Sequence, residues 1–435
     1  MKSTQSLSPA IGIDFGTTNS SLALATGQSS ELVRFVSAAG CTESFRSVLY
    51  LENHRENGRR RLQSWTGPWA IEQYLEAEHK GRLIQSLKSY LPCRTLTGTE
   101  VMGRHYTLED LTSRMLADLR LHAERQFGVP VREATVGRPV RFVGAESDED
   151  ESYALDRLRQ SFKLAGWERV EFEMEPVAAA YAYESTLDHD ELILIGDFGG
   201  GTSDFSLLHV GPATKKKRKS KRVLGNSGVG LAGDAFDARI VRKLVSPKLG
   251  SDTLARSGKK ILPAVPAWIY ANLERWHYLS FLRTRQVMEL LKSALARALD
   301  PEKIESLIML VDEDLGFQLH QAVQRVKFEL SQKERAEFSF HEGGLALRIT
   351  VTRAEFEGWI ATELEQIEQC VDGLLAATGV DARAVDRAFL TGGTSFVPAV
   401  RRIFETRFGK ERVRTGNEFT SVASGLALRA LEEQE

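Results

Sequence analysis

The sequence predicts an α/β protein built as two related lobes, and three observations carry that expectation. Apolar strand-like runs alternate with segments of helical period along most of the chain. A strand-turn-strand unit with an acid and glycine in its turn occurs twice, once near the start and once near the middle. A chain of 435 residues with 42% apolar content has ample material for more than one core.

The second copy is the more explicit. Leu192-Ile193-Leu194-Ile195 runs into Asp197-Phe198-Gly199-Gly200-Gly201-Thr202-Ser203-Asp204 and leaves through Phe205-Ser206-Leu207-Leu208. Three consecutive glycines strip the turn of side chains, so its amides can close on a bulky anion. The acid that opens the turn would repel a phosphate unless a divalent cation or its water shell stood between them. In the first copy, Ile11-Gly12-Ile13-Asp14-Phe15-Gly16-Thr17-Thr18-Asn19-Ser20, Asp14 falls on Asp197, Phe15 on Phe198, Gly16 on Gly199 and Ser20 on Ser203. A plain hairpin accounts for either copy alone; the pair points to two turns facing one another across a cleft.

Two further motifs complete the set, Glu175-Pro176-Val177-Ala178-Ala179-Ala180-Tyr181 and Leu390-Thr391-Gly392-Gly393-Thr394-Ser395-Phe396-Val397-Pro398. The four stand in the order of the DnaK (heat-shock-70) chaperones, and nearly the whole chain resembles their nucleotide-binding domain. It resembles in particular the truncated bacterial members that lack a peptide-binding half. The resemblance implies the two-lobed actin-like ATPase fold, made of duplicated ribonuclease H-like domains with small inserted subdomains, and a cleft for ATP or ADP with Mg2+.

Carried over residue by residue, the resemblance implies a catalytic set of Asp14, Glu175, Asp197 and Asp204. Asp14 and Asp197 would hold the metal through water, and Glu175 and Asp204 the attacking water. Gly16, Thr17, Thr18, Asn19, Gly199, Gly200, Gly201 and Thr202 would cradle phosphates. Gly233, Lys327, Ser331, Gly392, Gly393 and Phe396 would contact the nucleoside, with the Phe396 ring standing where the family has a stacking arginine. The lysine that the family directs at the γ-phosphate falls on Ile71, which can neither donate nor carry charge. Loss of one catalytic donor costs orders of magnitude in rate, so hydrolysis is expected to suffer more than binding.

Taken in order, lobe I is expected over 1–189, with an inserted subdomain at about 41–105 where the periodicity is irregular. Lys80, Arg82 and Lys88 read there as the solvated face of a helix. Residues 107–127 carry Leu108, Leu111, Met115, Leu116, Leu119, Ala123 and Phe127 at helical spacing behind a Thr107/Asp110 capping pair. Thr135–Val140 reads as a strand ending at a proline turn, and Ser147-Asp148-Glu149-Asp150-Glu151 opens the next helix, where acids suit the dipole. The strand Val170–Met174 then delivers Glu175.

Lobe II is expected over 190–417, with an inserted helical subdomain at about 236–350 whose aromatics, Trp268, Tyr270 and Trp276–Phe281, read as its core. The run Lys215-Lys216-Lys217-Arg218-Lys219-Ser220-Lys221-Arg222 reads as a solvated hairpin tip, an anionic partner at that loop being the functional alternative. Thr352-Arg353-Ala354-Glu355 is a capping box ahead of a helix that stops at Gly379. Residues 418–435 form a small-residue helix returning to lobe I. The chain ends there, so no peptide-binding domain is expected.

Net charge is −2, which gives no global attraction for nucleic acid or an anionic membrane. No apolar run approaches a spanning length, and the polar start lacks a signal peptide's hydrophobic region. A cytoplasmic protein is expected. Cys41, Cys93 and Cys370 are isolated and odd in number, fitting reduced thiols. The leading expectation is a chaperone-like slow ATPase whose lobe closure is coupled to a protein partner or client. A nucleotide-gated binding protein with negligible turnover is the alternative. A small-molecule kinase of the same fold follows behind, without a sugar-kinase signature.

Overall fold

The computed structural model describes residues 9–27, 29–56, 59–77, 81–184, 187–212, 223–257, 260–275, 278, 282–415 and 422–434. Lys80, the basic run 215–222 and most of the aromatic stretch 276–281 lie outside these residues. The chain packs as two units, one of residues 1–232, 367–395 and 400–435 and the other of residues 233–366 and 396–399.

The first unit holds two sheets of the same design. In one, β1 (Ala10–Phe15) is central, antiparallel to β2 (Asn19–Thr26), which carries β3 (Ser29–Leu32), and parallel to β4 (Glu133–Arg138), which carries β5 (Arg169–Met174). In the other, β6 (Glu191–Phe198) is central, antiparallel to β7 (Ser203–Val210), which carries β8 (Val223–Val229). On its parallel side lie β9 (Arg387–Thr391) and then β10 (Val413–Thr415). The repeat read from the sequence is thus a repeat of register: Phe15 faces Ser20 as Phe198 faces Ser203. Both central strands read as continuous apolar runs because both their faces are covered, leaving Ile13, Ile193, Leu194 and Ile195 without exposure.

Helices fill the connections. α1 (Gly67–Glu76) packs on a small three-stranded sheet of Val48–Glu56, Arg59–Thr66 and Arg82–Gln85. α2 (Leu108–Phe127) starts at the expected capping box, Thr107 and Asp110 each bonding the other's backbone N–H, and buries the expected Leu108, Leu111, Met115, Leu116, Leu119 and Ala123. α3 (Asp148–Leu164) is capped by Ser147 and has four acids in its first turn. α4 (Glu175–Glu184) begins at Glu175, directly after β5. The last helix, Val422–Glu432, lies on β1, β2, β4 and α4, with Gly425 against the Ala178 backbone, an approach that any Cβ would block.

The second unit contains α5 (Gly233–Ile240) and α6 (Gly316–Gln332), with further helices between them, among them Arg285–Leu295 and Pro301–Asp312. It also holds two hairpins, Leu254–Ser257 with Lys260–Pro263 and Arg335–Glu342 with Leu345–Thr352. The capping box at Thr352 and Glu355 forms as expected. The aromatic segment is only partly core, because Tyr270 is buried while Trp268 is 47% exposed. Ala264, Val265, Ile269 and Tyr270 are buried, while Pro263, Pro266, Ala267 and Trp268 are exposed. Among the described residues no helix is long and apolar enough to cross a membrane.

Candidate functional site

The site is assembled from strand ends. Asp14 closes β1, Asp197 lies near the end of β6, Asp204 near the start of β7, and Glu175 opens α4. Each strand pair puts its acid beside its own turn, since Asp197 pairs with Asp204 across the second turn and Asp14 with Ser21 across the first. The turns approach one another. A Cβ on Gly201 would strike Val143 Cγ2 at 2.9 Å and lie 3.9 Å from both Thr17 Oγ1 and Ser89 Oγ. Gly392, at the end of β9, sits at φ +82° against the Phe198 carbonyl, a conformation and an approach that only glycine allows.

Into this cluster comes Lys88. Its ammonium donates to Glu175 Oε1 at 2.8 Å, and the lysine is only 7% exposed. The expectation of a solvated helix face is therefore corrected. Lys88 sits in a short 3-10 turn, Leu87–Tyr90, entered through Ser86 in the left-handed conformation (φ 55°), and Leu87 and Leu91 bury that turn. The assignment of the family's lysine to Ile71 is corrected with it: Ile71 lies on α1, against the small sheet, and the cation in the carboxylate cluster is Lys88. In the sequence Lys88 is the one charged residue inside Leu83-Ile84-Gln85-Ser86-Leu87-Lys88-Ser89-Tyr90-Leu91, but nothing in that run ties it to the turns.

Four carboxylates face one ammonium. Burial pushes the Asp14 carboxyl up to about 8, with the charges of Glu175 and Asp197 adding to the rise and Lys88 opposing it. Burial and Glu175 push Asp204 up to about 8 as well, against hydrogen bonds from Thr202 and the Arg141 N–H. Asp197 reaches about 6, through burial and Glu175, restrained by the Thr391 hydroxyl, which donates to it at 2.6 Å, and by Lys88. Burial disfavours the charge on Lys88, but Glu175, Asp14 and Asp204 outweigh it and raise its pKa. So many like charges in a low-dielectric site cannot all ionise without a further cation.

The donor set fits a magnesium ion held through its water shell. Among the described residues no three acidic, histidine or cysteine side chains converge closely enough to ligate an ion directly. Asp14 and Asp197 remain half-buried rather than sealed. Beside them Thr18 Oγ1 is buried and has no hydrogen-bond partner. An orphaned hydroxyl in a glycine turn is a ready contact for a phosphate oxygen or a metal-bound water.

Supporting contacts fix these groups. Asp204 Oδ1 accepts the N–H of Val140 at 3.0 Å and of Arg141 at 3.4 Å. That loop is shaped by Arg138, which donates to Pro139 O, Val140 O and Glu151, while Glu151 accepts the Phe142 N–H. Arg157, which sequence reasoning missed, is buried on α3 and donates to the carbonyls of Tyr90, Leu91, Cys93 and Leu96 and to Glu109, gathering the segment that follows Lys88. Asn19 is exposed, its amide oxygen accepting from Arg46, and Ser203 donates to Leu231 O.

The expected nucleoside residues of the second unit have partners of their own. Lys327 on α6 pairs with buried Asp237 at 2.8 Å and donates to the Gly233 carbonyl at 3.1 Å. Ser331 donates to Phe328 O at 2.6 Å, and the Phe396 ring is half exposed. In the first unit Gly393 has open space around its Cα.

Residues 10–248 and 303–431 match the family model described as Hsp70 protein, and the chain belongs to that family. Its mixed helices and strands are those of the actin-like ATPase fold. The chain is also similar to a "Chaperone protein DnaK" of Deinococcus proteolyticus, 24% identical over 98% of this chain and 59% of the relative. It therefore spans about three fifths of the length of that curated relative. Residues 249–302 fall outside the family match.

Proposed function

We propose that the protein is a chaperone-like Mg-ATPase, acting in the cytoplasm and coupling its nucleotide state to a protein partner or client. The observation that carries this reading is the buried Lys88–Glu175 pair set among Asp14, Asp197 and Asp204 beside two glycine turns. Bound magnesium would neutralise phosphate charge and polarise the γ-phosphoryl group. Asp14 and Asp197 would hold its water shell, and the amides of Gly16 and Gly199–Gly201, with Thr17, Thr18 and Thr202, would receive phosphate oxygens. Glu175 would orient the attacking water, Asp204 would accept its proton, and Lys88 would place a positive charge where negative charge develops.

Gly392 and Gly393 would admit the nucleoside. The lobes drawn from the sequence, 1–189 and 190–417 with the helix 418–435, belong to this proposal, and their closure would report nucleotide to the partner. The alternative of negligible turnover drew its support from Ile71, and Lys88 in the carboxylate cluster favours turnover over it.

Calorimetry with ATP and ADP, with and without Mg2+, together with phosphate release, tests the reading. Metal-dependent binding is expected with slow release. Lys88→Ala should lower turnover by about 10²–10³ while Kd moves by no more than about threefold. Absence of nucleotide binding at millimolar concentration would overturn the reading; turnover that needs an added small-molecule acceptor would favour a kinase.

A further inference from the structure

The segment outside the family match carries an exposed face of regular construction. In the hairpin, Leu254 stands opposite Pro263 and Arg256 opposite Ile261. On its other side Ala255 bridges Ala298, with hydrogen bonds from Leu299 N to Leu254 O (2.8 Å) and from Arg256 N to Arg297 O (3.2 Å). These registers put Leu299 opposite Leu254 and Arg297 opposite Arg256. Side chains alternate between the faces of a strand, so one face shows two parallel rows. The first row is Leu299, Leu254 and Pro263; the second is Arg297, Arg256 and Ile261. All six are exposed, Leu254 at 42%, Leu299 at 46% and Ile261 at 59%.

We propose that this face docks an amphipathic helix of a partner protein, one that presents an apolar stripe flanked by carboxylates. Charge decides the flank. Neither Arg256 nor Arg297 pairs with a carboxylate among the described residues; Arg297 donates only to Ser293 of the helix that precedes it, and the nearby acids Asp252 and Asp300 are turned to Lys303.

Dimensions decide the shape. Three neighbouring strand positions span about 10 Å, the rise of a helix from residue i to i+7, and the arginine row lies about 7 Å to one side, within reach of a helix flank. Strand addition is disfavoured by the edge itself. The bond from Ala264 N to Thr253 O (2.9 Å) sets an alternation that leaves Ile261 as the one residue of Lys260–Pro263 with both N–H and C=O outward, since Pro263 has no N–H. The mode is a helix on an apolar face, with the arginines setting its orientation.

The test uses the full chain and fluorescence anisotropy with labelled helical peptides of about 15–20 residues, long enough to fold on contact. One carries leucines at i, i+3 and i+7 with flanking glutamates; a second replaces the glutamates by lysine; a third replaces the leucines by serine. The leucine–glutamate peptide should bind about tenfold more tightly than either control, and more weakly at high salt. Leu254→Ser with Leu299→Ser should remove that preference. Arg256→Glu with Arg297→Glu should transfer it to the lysine peptide, and the paired Gln variants should abolish it if the Glu variants fold poorly. Equal binding of all three peptides, or binding indifferent to these substitutions, would overturn the proposal. So would a concentration-dependent dimer abolished by Leu254→Glu, which would give the face to a second copy of the chain.

Discussion

Lys88 shows how one side chain can carry a functional reading. Its ammonium lies buried against Glu175 within a cluster of four carboxylates, so removing it leaves Glu175 buried without its partner, a loss on the order of 3–5 kcal/mol when such a pair is broken. Ile71→Lys, by contrast, should leave phosphate release unchanged, since Ile71 lies on the small-sheet helix α1. A rise in release by that variant would restore the sequence-derived assignment. Asp197→Ala should weaken metal-dependent nucleotide binding, whereas Asp188→Ala, whose carboxylate is almost fully exposed, should not; equal effects in calorimetry would count against the metal assignment. Arg157→Ala should free four carbonyls and Glu109, cost about 2–4 kcal/mol in urea unfolding, and lower turnover more than nucleotide affinity. Asp14 and Asp197 were legible because each stands at the same place in a repeated turn, whereas Glu175 was reached through its own motif at a helix start. Lys88 was not, because irregular small strands separate it from the first turn and give no period by which to count.

Elements were legible where local chemistry is strong. Thr107 and Asp110 announced α2, Ser147 and its acids announced α3, and Thr352 with Glu355 announced a helix start, although the single helix expected up to Gly379 is broken at Ile360 into Arg353–Trp359 and Ala361–Thr378. The hairpin Leu254–Ser257 with Lys260–Pro263 was missed within a stretch of helical period, its strands being only four residues each. The joint between α1 and α2 gives a pH-dependent prediction. Trp69 of α1 stacks on His122 of α2 at 4.5 Å with rings 8° apart. Burial first, then Arg125, holds the His122 imidazole below its usual value, against a smaller pull from Asp118. The folded state therefore prefers the neutral ring. That contribution is present above about pH 6.5, the unfolded value, and is lost as pH falls through the lower folded value. His122→Phe keeps a ring for the stack and removes the titration. Wild type should lose thermal stability relative to it on acidification below pH ~6.5, as followed by melting at a series of pH values; parallel melting profiles would dismiss the idea.

At the scale of the whole molecule the duplication is the most readable feature, since two sheets of one strand order follow from two copies of one turn. What the sequence hid is where helices cross, because a glycine or alanine stripe names no partner. Gly425 is the case in point. A methyl group there would run into the Ala178 backbone, so Gly425→Ala should cost about 1–3 kcal/mol or more in denaturant unfolding, while Gly373→Ala, with open space around its Cα, should be nearly neutral. The same helix, Val422–Glu432, covers β1, the first strand among the described residues. On a ribosome Phe15 of the strand is made long before Val422 of the helix, and at about 5–20 residues per second the strand waits on the order of tens of seconds for its cover. During that wait Ala10, Ala23 and Ala25, buried beneath the helix in the finished protein, stand open to whatever else is in reach. The first sheet can pair its strands early, but it becomes a closed layer only after residues 422–432 have emerged.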